Sequence, residues 1–171
     1  MADLLNYKNK LVIVSGYFDP LHIGHLEYFK ESKKLGDELV VIVNNMEQCI
    51  LKKHEEFMDE KDRMEIVYHL DMVDGVFLSV DTDRSVCKTI EMISRMFKNK
   101  ELIFANGGDR NTGEVPESKI CDRLGIDMVD GLGEKIRSSS ELTGLTEVQR
   151  DIHGNVYDPK KALSNSNSEN H

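Results

Sequence analysis

Two histidines that flank a glycine have the chemistry and the spacing to bind an anion. His22 and His25 flank Gly24 within residues 16–25, GYFDPLHIGH. This segment follows a buried apolar run, and Gly16 lets the chain turn sharply off a strand. Imidazoles and the unpaired N–H groups of a helix start can hold one phosphate together, and glycine leaves space for it. A metal pair or ordinary surface histidines are the alternatives, but the position between strand and helix favours a phosphate site.

Three further stretches carry side chains that could hold phosphate or sugar. Lys52 and Lys53 precede a predicted helix that contains Arg63, although a solvated charged face explains these three residues equally well. Residues 106–109 (NGGD) follow a predicted strand, and two glycines allow a ligand to approach the backbone closely, whereas the alternative is a plain turn. Three hydroxyls at 138–140 open a predicted helix, where they could cap it, bind phosphate oxygens, or do both.

The elements that must position these residues alternate along the chain. Apolar runs predict strands at 10–15, 38–43, 76–80, 101–105 and 126–129, and helical spacing predicts helices from 26, at 59–70, around 86–97, at 116–124 and at 138–145. Residues 46–58 predict a loop or weak helix, and residues 106–109 a tight turn. The alternation favours an α/β fold with a five-stranded parallel sheet flanked by helices, in which ligands bind at the carboxyl ends of the strands.

Size and composition exclude several classes of protein. A chain of 171 residues suits one domain, and a net charge of −9 without a long basic run argues against binding to a nucleic acid. No apolar run approaches the ~20 residues that cross a bilayer, so we expect no membrane association. Three dispersed cysteines and a first segment without an apolar signal core favour a cytoplasmic protein with small buried thiols.

The ten-residue pattern Gly-x-Phe-Asp-x-x-His-x-Gly-His after the first strand resembles the cytidylyltransferase-like nucleotidyltransferases. The resemblance covers roughly residues 10–145. It extends to Gly-Gly-Asp at 107–109 and to Ile-Arg-Ser-Ser-Ser at 136–140, which is similar to the Ile-Ser-Thr-Thr signature of that family. Tyr17 departs from the small residue common there, and Arg137 lies closer to the serines than the arginine of some members. These departures concern the base and the acceptor more than the reaction class.

The resemblance and the length of the chain predict a single Rossmann-like nucleotidyltransferase domain at residues 10–150 with a lead-in at 1–9, and polar composition without apolar spacing predicts a disordered tail at 151–171. The resemblance implies transfer of a nucleoside monophosphate from a triphosphate to a phosphorylated small molecule. Our first expectation is CMP transfer from CTP to a polyol, sugar or alcohol phosphate. The alternative is adenylyl transfer from ATP, and a non-catalytic nucleotide-binding module is the third possibility. Mg²⁺ and a homodimer are expected by the same resemblance.

The resemblance also assigns roles to individual residues. His22 and His25 would stabilise charge as pyrophosphate leaves, and Lys53 completes the predicted catalytic set, while the metal ligands stay open. The predicted nucleotide-binding residues lie in or directly beside the four stretches described above: Gly16, Tyr17, Phe18, Asp19, His22, Gly24, His25, Arg63, Asn106, Gly107, Gly108, Asp109, Arg110, Ser138, Ser139 and Ser140.

Overall fold

Five parallel strands form one sheet in the computed structural model, which describes residues 8–107, residues 115–133 and Thr143. The strands are β1 (Lys10–Gly16), β2 (Glu38–Val43), β3 (Gly75–Leu78), β4 (Glu101–Gly107) and β5 (Asp127–Leu132). Their order in the sheet is β3-β2-β1-β4-β5, so the chain winds outward from β1 in both directions. The predicted Rossmann-like parallel sheet is confirmed.

Helices cover both faces of this sheet because its strands are apolar on both sides. The helices are α1 (Ile23–Lys33), α2 (Met46–Lys53), α3 (Glu60–Tyr68), α4 (Cys87–Met96) and α5 (Glu117–Leu124). One core cluster joins β1, β2 and β4 to α4 and α5, and the other joins the opposite face of the same strands to α1 and α3. Such burial on both faces is typical of parallel sheets.

Helices α1 and α2 differ from the sequence prediction, and local capping explains both differences. Helix α1 begins at Ile23 rather than at residue 26, because His22 already caps it. Residues 46–53, predicted as a loop or weak helix, form α2. The Asn45 side chain accepts from the Gln48 N–H, and the Gln48 side chain accepts from the Asn45 N–H. This reciprocal capping box stabilises a short helix whose apolar periodicity is weak.

The strands β4 and β5 are longer than their apolar runs indicated. Asn106 and Gly107, predicted in a tight turn, are the last residues of β4, and β5 continues to Leu132. Pairing with a neighbouring strand supplies backbone hydrogen bonds even where the side chains are polar or absent, with an irregularity between Ala105 and Gly107. The predicted turn at 106–109 is therefore wrong for its first two residues.

A crevice opens between β1 and β4 at the carboxyl ends of the strands. The pairing of β1 with β2 continues to Gly16 and Val43, whereas its pairing with β4 stops at Ile13 and Phe104. Because strand order reverses at this point, it is where parallel sheets of this kind bind ligands. The loop that follows β1 and the end of β4 therefore face the same crevice.

Two buried cysteines behave as small apolar side chains, as predicted. Burial raises the pKa of the Cys49 thiol to about 11 and that of Cys121 to about 12, so both are protonated at neutral pH. Cys49, Cys87 and Cys121 are all free thiols. Within residues 8–107 and 115–133, no helix is long and apolar enough to span a membrane.

Several predictions fall on residues outside the described part of the chain. These are Gly108, Asp109, Arg110, Ser138, Ser139, Ser140, the disordered tail and, apart from Thr143, the last helix at 138–145. The proposed domain limits depend on the same segments and stay predictions.

Candidate active site

Phe18 shapes the loop that follows β1. Its φ angle is 51°, in the left-handed region that few residues with a side chain adopt, and its ring lies over the backbone of Gly16. A Cβ atom at Gly16 would stand 2.7 Å from Cζ of Phe18, so only glycine fits there. The Phe18 ring is 2% exposed and contacts the His25 ring edge-on at 5.0 Å between centroids. Phe18, predicted as a nucleotide contact, therefore supports His25 from the core.

His22 and His25 cap the first turn of α1 with their own side chains. The Gly24 N–H donates to Nδ1 of His22 over 3.1 Å, and the His22 N–H donates to Nδ1 of His25 over 3.2 Å. The two rings stack with centroids 3.7 Å apart. Because Nδ1 accepts a hydrogen bond in each neutral ring, the proton lies on Nε2 in each. Both histidines thus carry a defined Nε2–H donor at a helix N-terminus.

The His25 ring is neutral across the physiological pH range in this state. Burial, followed by the unfavourable electrostatic interactions that a protonated His25 would make with His22, Lys53 and Lys52, lowers the pKa of His25 from 6.5 to about 3. Each of these groups disfavours a second positive charge at the same place. The arrangement is therefore a positive site in which His25 acts as a neutral hydrogen-bond donor, ready for an anion.

The depressed pKa of His25 predicts that the empty protein loses stability as the pH falls from 6.5 towards 3. In that range the unfolded chain protonates His25 and the folded chain does not, so folding becomes less favourable as protons are added. At pH 5 this single group lowers the free energy of unfolding by about 2 kcal/mol relative to its value at neutral pH. We expect urea titrations at pH 7 and pH 5 to show a smaller loss for His25→Gln than for the wild type. Equal losses in the two proteins would contradict the burial of a neutral His25.

Lys52 and Lys53 bring positive charge to this loop from the end of α2. Nζ of Lys52 lies 4.3 Å from the centroid of the Tyr17 ring, a cation–π distance. Lys53 is 5% exposed, and its charge acts on His25. The predicted set of His22, His25 and Lys53 is therefore brought together, and the helix start that the set surrounds has no acidic residue in its first turn.

Arg63 lies beneath the loop rather than on its surface. Its guanidinium donates to the carbonyl oxygens of Tyr17 (2.8 Å), Asn44 (2.7 Å) and Met58 (2.9 Å), and to the carboxylate of Glu56 (2.5 Å). Its side chain is 0% exposed. A direct contact with nucleotide, which the sequence predicted, is not available to Arg63 in this arrangement. The reason is that its donors already join three separate segments around the site.

Asp19 is also turned inward. Its carboxylate accepts from the Phe57 N–H (2.9 Å) and from the Met58 N–H (2.6 Å), and the residue is 0% exposed. Asp19 and Arg63 thus hold the segment 56–58 from two sides. The predicted nucleotide contact of Asp19 is replaced by a structural role, because backbone N–H groups occupy both carboxylate oxygens.

The end of β4 forms the opposite wall of the crevice. Asn106 is 5% exposed, and its Nδ2 donates to the Asp130 carboxylate on β5 over 3.1 Å. Tyr28 of α1 donates its hydroxyl to the carbonyl of Ala105, next to the point where β1 and β4 separate. At Gly107 an added Cβ would stand 3.1 Å from the Tyr28 ring, so the tyrosine packs closely against this strand. Asn106 and Gly107 therefore lie at the carboxyl end of β4, beside the crevice, and their contacts with nucleotide stay predictions.

Three residues around the site were not predicted from the sequence: Tyr28, Glu56 and Asp130. Tyr28 and Asp130 act through partners that are distant in the chain, which no local spacing marks, and Glu56 pairs with Arg63 seven residues on, across the end of the segment that α3 follows. The capping of α1 by His22 and His25 could have been predicted from their spacing of three residues, because the N-cap and N3 positions of a capping box have this spacing.

The arrangement can bind a polyphosphate and stabilise charge that develops on it. Two Nε2–H donors, two lysines and a helix start are close together, and fixed donors of this kind are effective at stabilising a transition state. No set of three or more His, Cys, Asp or Glu side chains within the described residues is grouped to hold a metal ion.

Comparison with known proteins supports the same family as the sequence resemblance. The model of the Cytidylyltransferase-like family matches residues 13–129. An FAD synthase of Thermoplasma volcanium is 34% identical over 115 residues, which cover 67% of this chain and 75% of the relative. An FAD synthase of Aciduliprofundum boonei is 32% identical over 80% of this chain and 86% of that protein.

Solved structures agree on the fold. The crystal structure of a lipopolysaccharide core biosynthesis protein from Thermoplasma volcanium matches with a TM-score of 0.54 and 27% identity, over 73% of this chain and 98% of that one. A structure from Vibrio parahaemolyticus matches with a TM-score of 0.55 and 13% identity, over 80% of this chain and 85% of that one. At 13% identity the second match concerns the fold alone.

Proposed function

The chain belongs to the cytidylyltransferase-like family of nucleotidyltransferases, and from this premise we propose that it transfers AMP from ATP to flavin mononucleotide, forming FAD and pyrophosphate. The observation that carries the proposal is the pair of histidines that cap α1, since their Nε2–H donors lie at the helix start and the charge of Lys53 acts on His25. The names of the relatives supply the choice of substrates.

ATP replaces CTP as the favoured nucleotide. Our first expectation from the sequence was CMP transfer to a polyol, sugar or alcohol phosphate, with ATP as the alternative. The two relatives compared above are FAD synthases, and FAD contains an AMP unit. The alternative is therefore better supported than the first expectation, and FMN meets the predicted requirement for a phosphorylated acceptor.

In the proposed reaction, a phosphate oxygen of FMN attacks the α-phosphorus of ATP. The new P–O bond forms as the bond between the α-phosphorus and the bridging oxygen to the β-phosphorus breaks, and that oxygen leaves with its electron pair on pyrophosphate. The attacking phosphate is ionised at neutral pH, so the chain need not supply a nucleophilic side chain. Its residues act by positioning the reactants and by stabilising charge.

The side chains divide these tasks between them. His22 and His25 would donate from Nε2 to triphosphate oxygens where charge accumulates, and Lys53 would neutralise part of it. Mg²⁺ would reach the site bound to the triphosphate and to water, since this ion usually keeps several waters and binds substrate phosphates. The contacts of the serines 138–140 and of Asp109 with nucleotide stay predictions. The homodimer also stays a prediction.

Pyrophosphate release is the experiment that tests the proposed function. The purified protein is incubated with Mg²⁺ and either ATP or CTP, in each case with FMN, with a phosphorylated polyol or with no acceptor, and pyrophosphate is measured over time. We expect release that requires both ATP and FMN, with FAD appearing in equal amount. Release with CTP and a phosphorylated polyol, but not with ATP and FMN, would restore the first expectation.

Binding of a single nucleotide can be measured without any acceptor. A ligand at 100 times its Kd adds about 2.7 kcal/mol to the free energy of unfolding. We therefore expect ATP with Mg²⁺ to raise the Tm more than CTP, GTP or UTP does at the same concentration. The absence of a shift with all four nucleotides would contradict a triphosphate site.

A further inference from the structure

We propose that Asn106 selects the base of the nucleotide by accepting a hydrogen bond from an exocyclic amino group, and that Asp130 fixes the orientation in which it does so. The inference rests on the proposed function only in requiring that a nucleoside triphosphate occupies the crevice between β1 and β4. It names a residue that would distinguish amino-bearing bases from bases that carry an oxygen at the same position.

The position of Asn106 suits a contact with the base. The residue follows Ala105 at the carboxyl end of β4, beyond the last pair between β1 and β4. The side chains that we propose donate hydrogen bonds to the triphosphate, His22 and His25, lie across the crevice at the start of α1. A nucleotide whose phosphates lie on α1 can therefore extend its sugar and base towards the ends of β4 and β5.

The hydrogen bond to Asp130 determines which end of the amide faces the crevice. An ionised carboxylate only accepts, so the Nδ2 of Asn106 must face Asp130, at 3.1 Å. Its Oδ1 then faces away from Asp130, and no described residue donates to it. Rotating the amide by half a turn would place Oδ1 against the carboxylate, where two acceptors repel. Asn106 thus presents its acceptor, rather than its amide nitrogen, on the side away from Asp130.

A fixed acceptor at this place discriminates between bases by their functional groups. Adenine carries an amino group at C6 and cytosine one at C4, and both donate. Guanine and uracil carry an oxygen at the corresponding positions, which would meet Oδ1 with no hydrogen between them. The Asn106–Asp130 pair would therefore favour ATP and CTP over GTP and UTP, and the choice between ATP and CTP would depend on other contacts.

The test compares ATP with inosine triphosphate, which carries an oxygen in place of the C6 amino group. Dissociation constants are measured by calorimetry in the presence of Mg²⁺, with no acceptor. We expect the wild type to bind ATP at least about 10-fold more tightly, because bound inosine triphosphate would leave Oδ1 of Asn106 facing an oxygen with no donor between them. Equal affinity for the two nucleotides, or no binding of ATP, would overturn the inference.

Asp130→Asn separates the orientation of the amide from its presence. An asparagine at 130 can accept or donate, so the Asn106 amide can turn and offer Nδ2 to the oxygen of inosine. We expect affinity for inosine triphosphate to rise until it lies within about 3-fold of that for ATP, which itself changes little. Asp127→Asn removes the same charge from the exposed start of β5 and should leave the wild-type preference intact. An unchanged preference in Asp130→Asn would overturn the inference.

Asn106→Ala provides a second measurement should Asp130→Asn not fold. Removing the acceptor should weaken ATP binding by about 10-fold and leave inosine triphosphate binding unchanged. Equal weakening of both nucleotides would assign Asn106 to the shape of the crevice alone. These binding results are independent of turnover, so a protein that prefers ATP yet releases no pyrophosphate with FMN would refute the proposed function and leave the base selection standing.

Discussion

Replacing His25 by alanine is expected to lower kcat for pyrophosphate release by about 10²–10³-fold, since a preorganised donor to developing charge is typically worth that factor. The variant loses the Nε2–H that would face the triphosphate. It also loses the Nδ1 acceptor of the His22 N–H, so His22 is no longer held in its stacked position. Steady-state rates with ATP and FMN measure the effect. A kcat within about 3-fold of the wild type would contradict the proposed role of His25.

Two matched variants distinguish this role from general damage. His69→Ala removes an exposed histidine at the end of α3 that pairs with Glu65 and contacts the Tyr68 ring, and it should leave kcat unchanged. His25→Gln keeps an N–H donor on a side chain longer than that of alanine, and it should recover part of the rate that His25→Ala loses. Equal rates for glutamine and alanine at position 25 would argue that the imidazole ring, rather than its donor, is what matters.

The sequence was sufficient to predict the sheet and the centre of the site. Apolar runs predicted every described strand, and the central strands, which are buried on both faces, show this best because they are apolar over most of their length, as Leu11–Val14 is. The pair of histidines was also predictable, since His22, Gly24 and His25 are local and interact within one helical turn. Properties that depend on a few neighbouring residues can be inferred from their spacing.

The roles of Asp19 and Arg63 could not be predicted in this way. Both are charged residues near a phosphate-binding motif, and such residues are expected to face the ligand. The Asp19 carboxylate accepts from the backbone at Phe57 and Met58, which are 38 and 39 residues away in the chain. The Arg63 guanidinium donates to the carbonyl of Asn44, 19 residues away, as well as to that of Met58, which is only 5 residues away. A sequence pattern gives the charge of a side chain, whereas burial depends on how distant segments fold over it.

Replacing Arg63 by methionine is expected to lower the free energy of unfolding by about 3–5 kcal/mol, because removing one member of a buried ion pair leaves the other charge uncompensated. Glu56 is only 11% exposed at its side chain, and it would lose its partner. The carbonyl oxygens of Tyr17, Asn44 and Met58 would lose their donor in the same step. For a chain of this size, the Tm should fall by roughly 10 °C.

Arg95→Met is the matched control for Arg63→Met, because it removes the same charge from an ion pair with Glu91 whose arginine side chain is 72% exposed. The control should change stability by less than about 1 kcal/mol. Adding Glu56→Gln to Arg63→Met should restore part of the loss, by about 1–3 kcal/mol, since the uncompensated carboxylate is then neutral. If Arg63→Met were as stable as Arg95→Met but bound ATP more weakly, the guanidinium would contact the nucleotide after all. The three segments that it joins would then be held together by other interactions.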